Sequence, residues 1–276
     1  MDRQVESIAH LLSCPDDGWP ISRTEGGLCC GSCARVFPVI DGNFVELLPS
    51  SPISFAEPAN EEYRLKYAEL LKESIAANGG AAWGAEELTS RSWRRKRERQ
   101  VEAVSGLLAQ EREPHGAVLC DFAAGAGYYT FAYAKQFRWV LHCDLSAVNL
   151  NYCRSKARAR NLENIVFLRI DYFRPPFRAS LDTVICLDTI IRGEEHDRLL
   201  LQSIIRSIRS DGIAVVDFHN WWHNPLRRMG LLAENFTMNR SYSRESAESL
   251  LSEAGIKRFV YRSFHQELCR DYYRNR

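Results

Sequence analysis

Residues 118 to 130 read Val-Leu-Cys-Asp-Phe-Ala-Ala-Gly-Ala-Gly-Tyr-Tyr-Thr. Val118 and Leu119 have the character of the end of a buried strand, and Asp121 is a carboxylate at its tip. Gly125 and Gly127 then make a turn into a helix that begins near Tyr128. Small residues at 123 to 127 let the backbone come close to a ligand and present its N–H groups, and the first turn of the helix adds its positive dipole end. The stretch has the size of a nucleotide site, although similar turns occur in α/β folds that bind nothing there.

The residues that follow give the turn its context. From Gly116 onward strand-like and helical stretches alternate, which predicts a parallel sheet with helices on both faces. Strands are expected at 117–121, 138–143, 165–170, 182–187, 212–218, 257–264 and 267–273, the last two as an antiparallel pair at the sheet edge. Asp144 ends the second of these, 23 residues after Asp121, where a carboxylate is placed to accept hydrogen bonds from both ribose hydroxyls. Asp171 ends the third and is followed by Tyr172, so a carboxylate can meet an adenine amino group while its neighbour covers the ring. Asp188 ends the fourth. Each acid alone could be a helix cap, but four in this order describe one site at the carboxyl ends of adjacent strands.

On these residues the chain, from about 116 to 276, resembles the Rossmann-like class I S-adenosylmethionine-dependent methyltransferases. The resemblance implies an α/β, doubly wound, mostly parallel seven-stranded sheet with S-adenosylmethionine as cofactor. It assigns cofactor contacts to Asp121, Ala123, Gly125, Gly127, Asp144, Leu145, Asp171, Tyr172 and Asp188. Two places depart from the family pattern. Ala123 stands where Gly is usual, and the run Asp188-Thr189-Ile190-Ile191-Arg192-Gly193 lacks the His that often follows the aliphatic pair. A dinucleotide dehydrogenase is disfavoured because Thr130 occupies the place of a third Gly.

Methyl transfer is an in-line displacement, so an acceptor must be positioned and water excluded, with a base added where the acceptor carries a proton. The run Asp217-Phe-His-Asn-Trp-Trp-His-Asn-Pro225 makes His219 and His223 the catalytic candidates; the alternative for each is capping of local backbone. Residues 221–243 are longer than an ordinary strand-to-helix connection and suggest a lid. His196, in Glu-Glu-His-Asp, is expected to be solvated at a helix start.

Towards the N-terminus, Cys14 to Asp17 and Cys30 to Cys33 each have the two-residue gap that lets side chains converge on one tetrahedral metal, with zinc the obvious candidate. The layout resembles the small zinc ribbon known as an activator subunit, or a fused N-terminal piece, of some methyltransferases. Asp17 stands where that pattern has its second cysteine, so the implied metal set is Cys14, Asp17, Cys30 and Cys33, with Cys29 as a substitute ligand. A ribbon without metal, held by Leu28, Phe37, Ile40 and Phe44, is the alternative. Residues 50–58 read as a linker, followed by a helix carrying Tyr63, Tyr67, Leu71 and Ile75 and a second helix over about 92–110. The expected organisation is a zinc-ribbon-like domain at 1–52, a helical linker or cap at 53–112 and an S-adenosylmethionine-binding domain at 113–276.

Lys and Arg number 36 against 35 Asp and Glu, so the whole molecule has no strong electrostatic attraction to nucleic acid or anionic membrane. No apolar run approaches the ~20 residues of a membrane span and no secretory signal is recognisable, which predicts a cytoplasmic protein. One local patch runs against this balance: Arg91, Arg94, Arg95, Lys96, Arg97 and Arg99 face only Glu98, and read as a solvated helix face or as a phosphate contact. The expected function is methylation of oxygen or nitrogen on a small-molecule acceptor. The alternatives are an RNA methyltransferase, suggested by that patch and by a similarity in layout to zinc-containing ribosomal RNA guanine methyltransferases, and a methyltransferase-like binding or scaffold protein.

Overall fold

The computed structural model describes residues 3–51, 58–78, 91–111, 118–190, 192–220, 229 and 241–262. At its centre β6 (Val118–Phe122) buries all five residues, as a strand covered on both faces must. Parallel to it run β7 (Trp139–Asp144), β8 (Ile165–Ile170), β9 (Leu181–Cys186) and β10 (Ile208–Val216). The chain lays down β6, β7 and β8 in one direction and then crosses β6 to add β9 and β10 on its other side, as pairing of β6 with both β7 and β9 shows. That reversal leaves a crevice above the carboxyl ends of β6 and β9, where open α/β sheets bind ligands.

Alternate residues of each strand feed two cores. Cys120, Phe122, Leu141, Cys143, Leu168 and Val184 belong to one, with α6 (Glu194–Ser207) and α7 (Arg244–Glu253). Leu119, Val140, Phe167 and Ile185 belong to the other, with α3 (Arg91–Glu111), α4 (Tyr128–Tyr133) and α5 (Ala147–Ala159). Local signals set the helix ends: Ser146 and Ser243 cap α5 and α7 by accepting from the N–H of Asn149 and Ser246. In α6, Glu194, Glu195 and Asp197 sit at the positive end and Arg206 at the negative end.

The sheet has seven strands and is mostly parallel, but its far edge is built from the other end of the chain than expected. β4 (Val39–Ile40) and β5 (Phe44–Leu47) form a hairpin through Asp41 and Gly42, both with positive φ, and β5 pairs in parallel with β8. Phe44, Val45 and Leu47 thereby enter the core. Residues 257–262 carry no strand, and the remainder of the two expected C-terminal strands lies outside the described residues. The hairpin is fastened by ion pairs from Arg154 and Arg158 to Asp41 and from Arg169 to Glu46.

The rest of the N-terminal region comprises α1 (Arg3–Ile8), a 3-10 turn at Ala9–Leu11, and a three-stranded antiparallel sheet of β1 (Ile21–Thr24), β2 (Gly27–Cys30) and β3 (Val36–Phe37). It is docked on the loop after β8: Ser13 N–H donates to the Pro176 carbonyl at 2.8 Å, and the Ser180 hydroxyl to the Leu11 carbonyl at 2.7 Å. α2 (Pro58–Ala77) and α3 match the two expected helices. Among the described residues no helix is long and apolar enough to cross a membrane.

Candidate active site

The turn after β6 is built from left-handed residues, with φ of +55° at Ala123, +55° at Gly125 and +78° at Gly127. At Gly127 the reason is also steric, because a Cβ would lie 2.8 Å from the Phe131 ring and 2.9 Å from Cys153 Sγ. At Gly125 a Cβ would meet nothing within 4 Å, so the backbone there borders open space. This is the cradle that the sequence predicts for a cofactor. Asp121 lies beneath it and is almost wholly buried, accepting a 2.6 Å hydrogen bond from the Thr130 hydroxyl. Thr130 Oγ1 is also 2.8 Å from His142 Nδ1; with the hydroxyl proton given to Asp121, Nδ1 carries the ring hydrogen. Burial pushes Asp121 up to about 7 and His142 down to about 3. Asp121 thus braces the turn from within.

Asp144, at the end of β7, accepts from Gly125 N–H and Ser146 N–H at 2.7 Å each, which ties the turn to the neighbouring strand. Leu145 holds the strand end through its carbonyl, which accepts from Arg169 Nε at 3.1 Å. Asp171 accepts from Phe173 N–H at 2.9 Å and from Arg174 Nε at 3.3 Å, and Tyr172 packs edge-on against Phe173. α2 closes this end: Tyr63 stacks on Tyr67, whose hydroxyl is raised by burial and by the Asp144 charge. Asp144 likewise acts on the buried Tyr172 hydroxyl, so Tyr67, Tyr172 and Asp144 share one corner of the crevice.

A second group fills the ends of β9 and β10. His219 Nε2 lies 3.0 Å from Asp188 Oδ1 and 3.2 Å from Asp217 Oδ2. From α3, Lys96 Nζ reaches Asp188 Oδ1 at 3.3 Å and Gln100 Nε2 donates to Asp217 Oδ2 at 2.7 Å. The Tyr129 hydroxyl stands 3.1 Å from Asp188 Oδ2, and Asp188 N–H donates to Asp217 Oδ1 at 2.8 Å. Every carboxylate oxygen therefore has a protein polar group within about 3.3 Å, the Tyr129 hydroxyl being shared with Gln100 Oε1 at 2.5 Å, and an ammonium sits beside Asp188. Although the three side chains are close enough to surround a cation, that donor set suits an internal salt bridge better. Burial alone would lower His219, but the hydrogen bonds it donates to Asp188 and Asp217 raise it to about 9. Burial would raise Asp188, yet Lys96 and His219 hold it well below the usual carboxylate range. His219 is thus an imidazolium at neutral pH and cannot serve there as a base. His223, the other catalytic candidate, lies outside the described residues, as does most of the expected lid.

A family profile described as a methyltransferase domain matches residues 119–212, which span β6 to the start of β10. This stretch, about a third of the chain, is a methyltransferase domain. Among solved structures the chain is similar to the magnesium protoporphyrin IX methyltransferase of Synechocystis PCC 6803 with bound S-adenosylhomocysteine: 20% identity, TM-score 0.51, 60% of this chain and 75% of that one covered. It is similar as well to the (4+2)-cyclase SpnF, at 17% identity and TM-score 0.51 over 74% of this chain and 73% of that one. At such identities the likeness concerns the fold alone, and a cyclase on this fold shows that the fold does not dictate the reaction. No curated protein matches the chain.

Sequence reasoning misses what α2 and α3 bring to the site. The basic run divides: Arg91, Arg94 and Arg95 are exposed, whereas Lys96 and Arg97 turn inward, Arg97 lying 5.0 Å over the Tyr128 ring. His196 starts α6 as expected but is buried, with Nδ1 2.9 Å from Asp197, because its ring fills a gap beside Tyr172 and Phe173.

The cysteine cluster holds together as a tetrahedron would. Cys14 and Cys33 sulfurs are 3.8 Å apart, and Cys30 Sγ is 3.5 Å from both Asp17 oxygens. Zinc bonds of about 2.3 Å to sulfur and 2.0 Å to oxygen give tetrahedral edges of about 3.8 and 3.5 Å. Ser32 and Cys33 N–H groups point at Cys30 Sγ at 3.4 and 3.5 Å. Cys29 contacts the neighbouring Cys30 carbonyl at 3.5 Å and is not in the group of four.

Proposed function

We propose that this chain transfers a methyl group from S-adenosylmethionine to oxygen or nitrogen of a small-molecule acceptor. The observation that carries the reading is the junction of Gly125 and Asp144, which joins an open left-handed turn to a carboxylate at the adjacent strand end. Asp144 would hold the ribose hydroxyls, Asp171 and Tyr172 the adenine, and the turn at Ala123 to Gly127 the methionine end. Arg97, over Tyr128 directly after that turn, is suited to the methionine carboxylate. When bound, the cofactor supplies an electrophilic methyl whose C–S bond breaks as the acceptor lone pair forms the new bond.

The chain's own part is positional and electrostatic. Lys96 and His219 offset the charges of Asp188 and Asp217, so the floor of the crevice is a fixed, nearly neutral polar surface against which an acceptor can be oriented. The inward turn of Lys96 and Arg97 removes two of the six basic residues from any phosphate-tracking surface, which favours a small acceptor over RNA. We further propose that Cys14, Asp17, Cys30 and Cys33 hold one structural zinc; with four protein ligands it has no open position for chemistry.

Calorimetric titration with S-adenosylhomocysteine tests the reading. The parent protein is expected to bind, and Asp144→Ala to weaken binding by about 1 to 3 kcal/mol through loss of charge-assisted hydrogen bonds. A folded parent that does not bind rejects the assignment. Undiminished affinity in Asp144→Ala leaves the residue only its backbone contacts.

A further inference from the structure

Among the described residues, two guanidinium groups border the crevice with no carboxylate ion-paired to them, although the charge of Arg97 acts on Asp188. Arg97 lies over Tyr128 and Tyr129, and Arg192, in the loop after β9, lies 3.4 Å over the Tyr63 ring of α2. Arg97 Nε and Arg192 Nη1 are buried and have no hydrogen-bond partner. An aromatic ring satisfies the face of a guanidinium but not its edge, where the N–H groups point in plane. A buried donor left in this way is destabilising, more so when charged, unless a ligand completes it.

Arg192 is held for such a role. Its backbone N–H donates to both oxygens of Asp197 at 3.2 Å, and the fully buried Asp197 is fixed in turn by the Tyr242 hydroxyl at 2.7 Å. Its charge acts on the Tyr67 and Tyr172 hydroxyls, which places it on the aromatic wall near Asp144. Among the described residues Asp144 forms no ion pair with it; its oxygens accept from Gly125 and Ser146. The cofactor brings one carboxylate, and the reading given above assigns that to Arg97.

We propose that Arg192 is the anion-binding residue of the acceptor site, and that the acceptor carries a carboxylate or phosphate monoester received edge-on by its guanidinium. The inference rests on the cofactor reading only for the assignment of Arg97. Its test is calorimetry on the full chain with benzoate, phenyl phosphate and the neutral isostere benzamide, each with and without saturating S-adenosylhomocysteine. At least one anion should bind about tenfold or more tightly than benzamide, and the comparison of benzoate with phenyl phosphate tells which group the site takes. Arg192→Gln should abolish the preference, Arg192→Lys should keep part of it, and both should retain the parent's affinity for S-adenosylhomocysteine within about threefold. Equal binding of anion and benzamide, or a preference that survives in Arg192→Gln, overturns the proposal. A tenfold or greater loss of S-adenosylhomocysteine affinity in Arg192→Gln also overturns it, by putting the guanidinium on the cofactor. Should the parent fail to bind S-adenosylhomocysteine, the cofactor reading fails, and the titrations without it still decide whether Arg192 receives an anion.

Discussion

Replacing His219 by Gln probes the cation held between Asp188 and Asp217. The imidazole is held at about 9 against an ordinary value of 6.5, a rise that its two carboxylate partners maintain against burial. A rise of that size corresponds to on the order of 3 kcal/mol of folding stability. Because the folded value is the higher one, the contribution is complete below about pH 6.5 and fades as the pH rises through about 9. In His219→Gln the cation is absent at every pH, and the charges of Lys96 and Arg97 are left to act on Asp188. The variant should therefore be less stable than the parent at pH 6.5 by roughly 3 kcal/mol or more, the usual cost of removing one member of a buried ion pair. The gap should narrow by about 3 kcal/mol by pH 10. Urea denaturation of both proteins at several pH values measures the gap, and titrations common to both cancel in the difference. A gap that stays constant from pH 6.5 to 10 would refute the claim that His219 is an imidazolium braced by Asp188 and Asp217.

Elemental analysis of protein purified without chelator should find about one zinc per chain, lost in Cys30→Ser; less than a tenth of an equivalent in the parent would show that Asp17 marks a lapsed site. Gly127→Ala places a methyl against Phe131 and Cys153 in a left-handed residue and should destabilise by about 1 to 3 kcal/mol on denaturation; a change below about 0.5 kcal/mol would show that the turn relaxes freely.

The central fold was legible because a strand buried on both faces cannot be written otherwise. Runs such as Val-Leu-Cys-Asp-Phe and Ile-Val-Phe-Leu-Arg-Ile have apolar residues for both cores, and the predicted bounds of β8 coincide with the observed ones. The edge was less legible. Val39 to Leu47 carries a hairpin signal in Asp41-Gly42, but β4 and β5 are two and four residues long, too short for alternation to reveal a partner far along the chain. What joins β5 to β8 is shape and charge at long range, Phe44 beside Phe167 and Glu46 beside Arg169, and neither pair can be read from local pattern.

The site divides along the same line. Its carboxylates stand at strand ends, positions that periodicity and chain order fix together, so Asp144, Asp171 and Asp188 could be named from spacing. Gln100, Lys96, Arg97 and Tyr63 arrive on helices, where polar residues at helical spacing look alike whether they meet solvent or a buried acid. For Lys96 the distinction is a rotation of α3 of roughly one residue, about 100° per step in an α-helix, and it is set by Val104 and Leu108 packing on the sheet. That rotation also holds the Asp188 carboxyl low, through the ammonium of Lys96. Without Lys96 and Gln100 to engage Asp188 and Asp217, both carboxylates would press on the imidazole alone. The acid at the end of a strand was readable, but its charge state was not, because it depends on a helix about 90 residues away in sequence that reaches it only through tertiary packing.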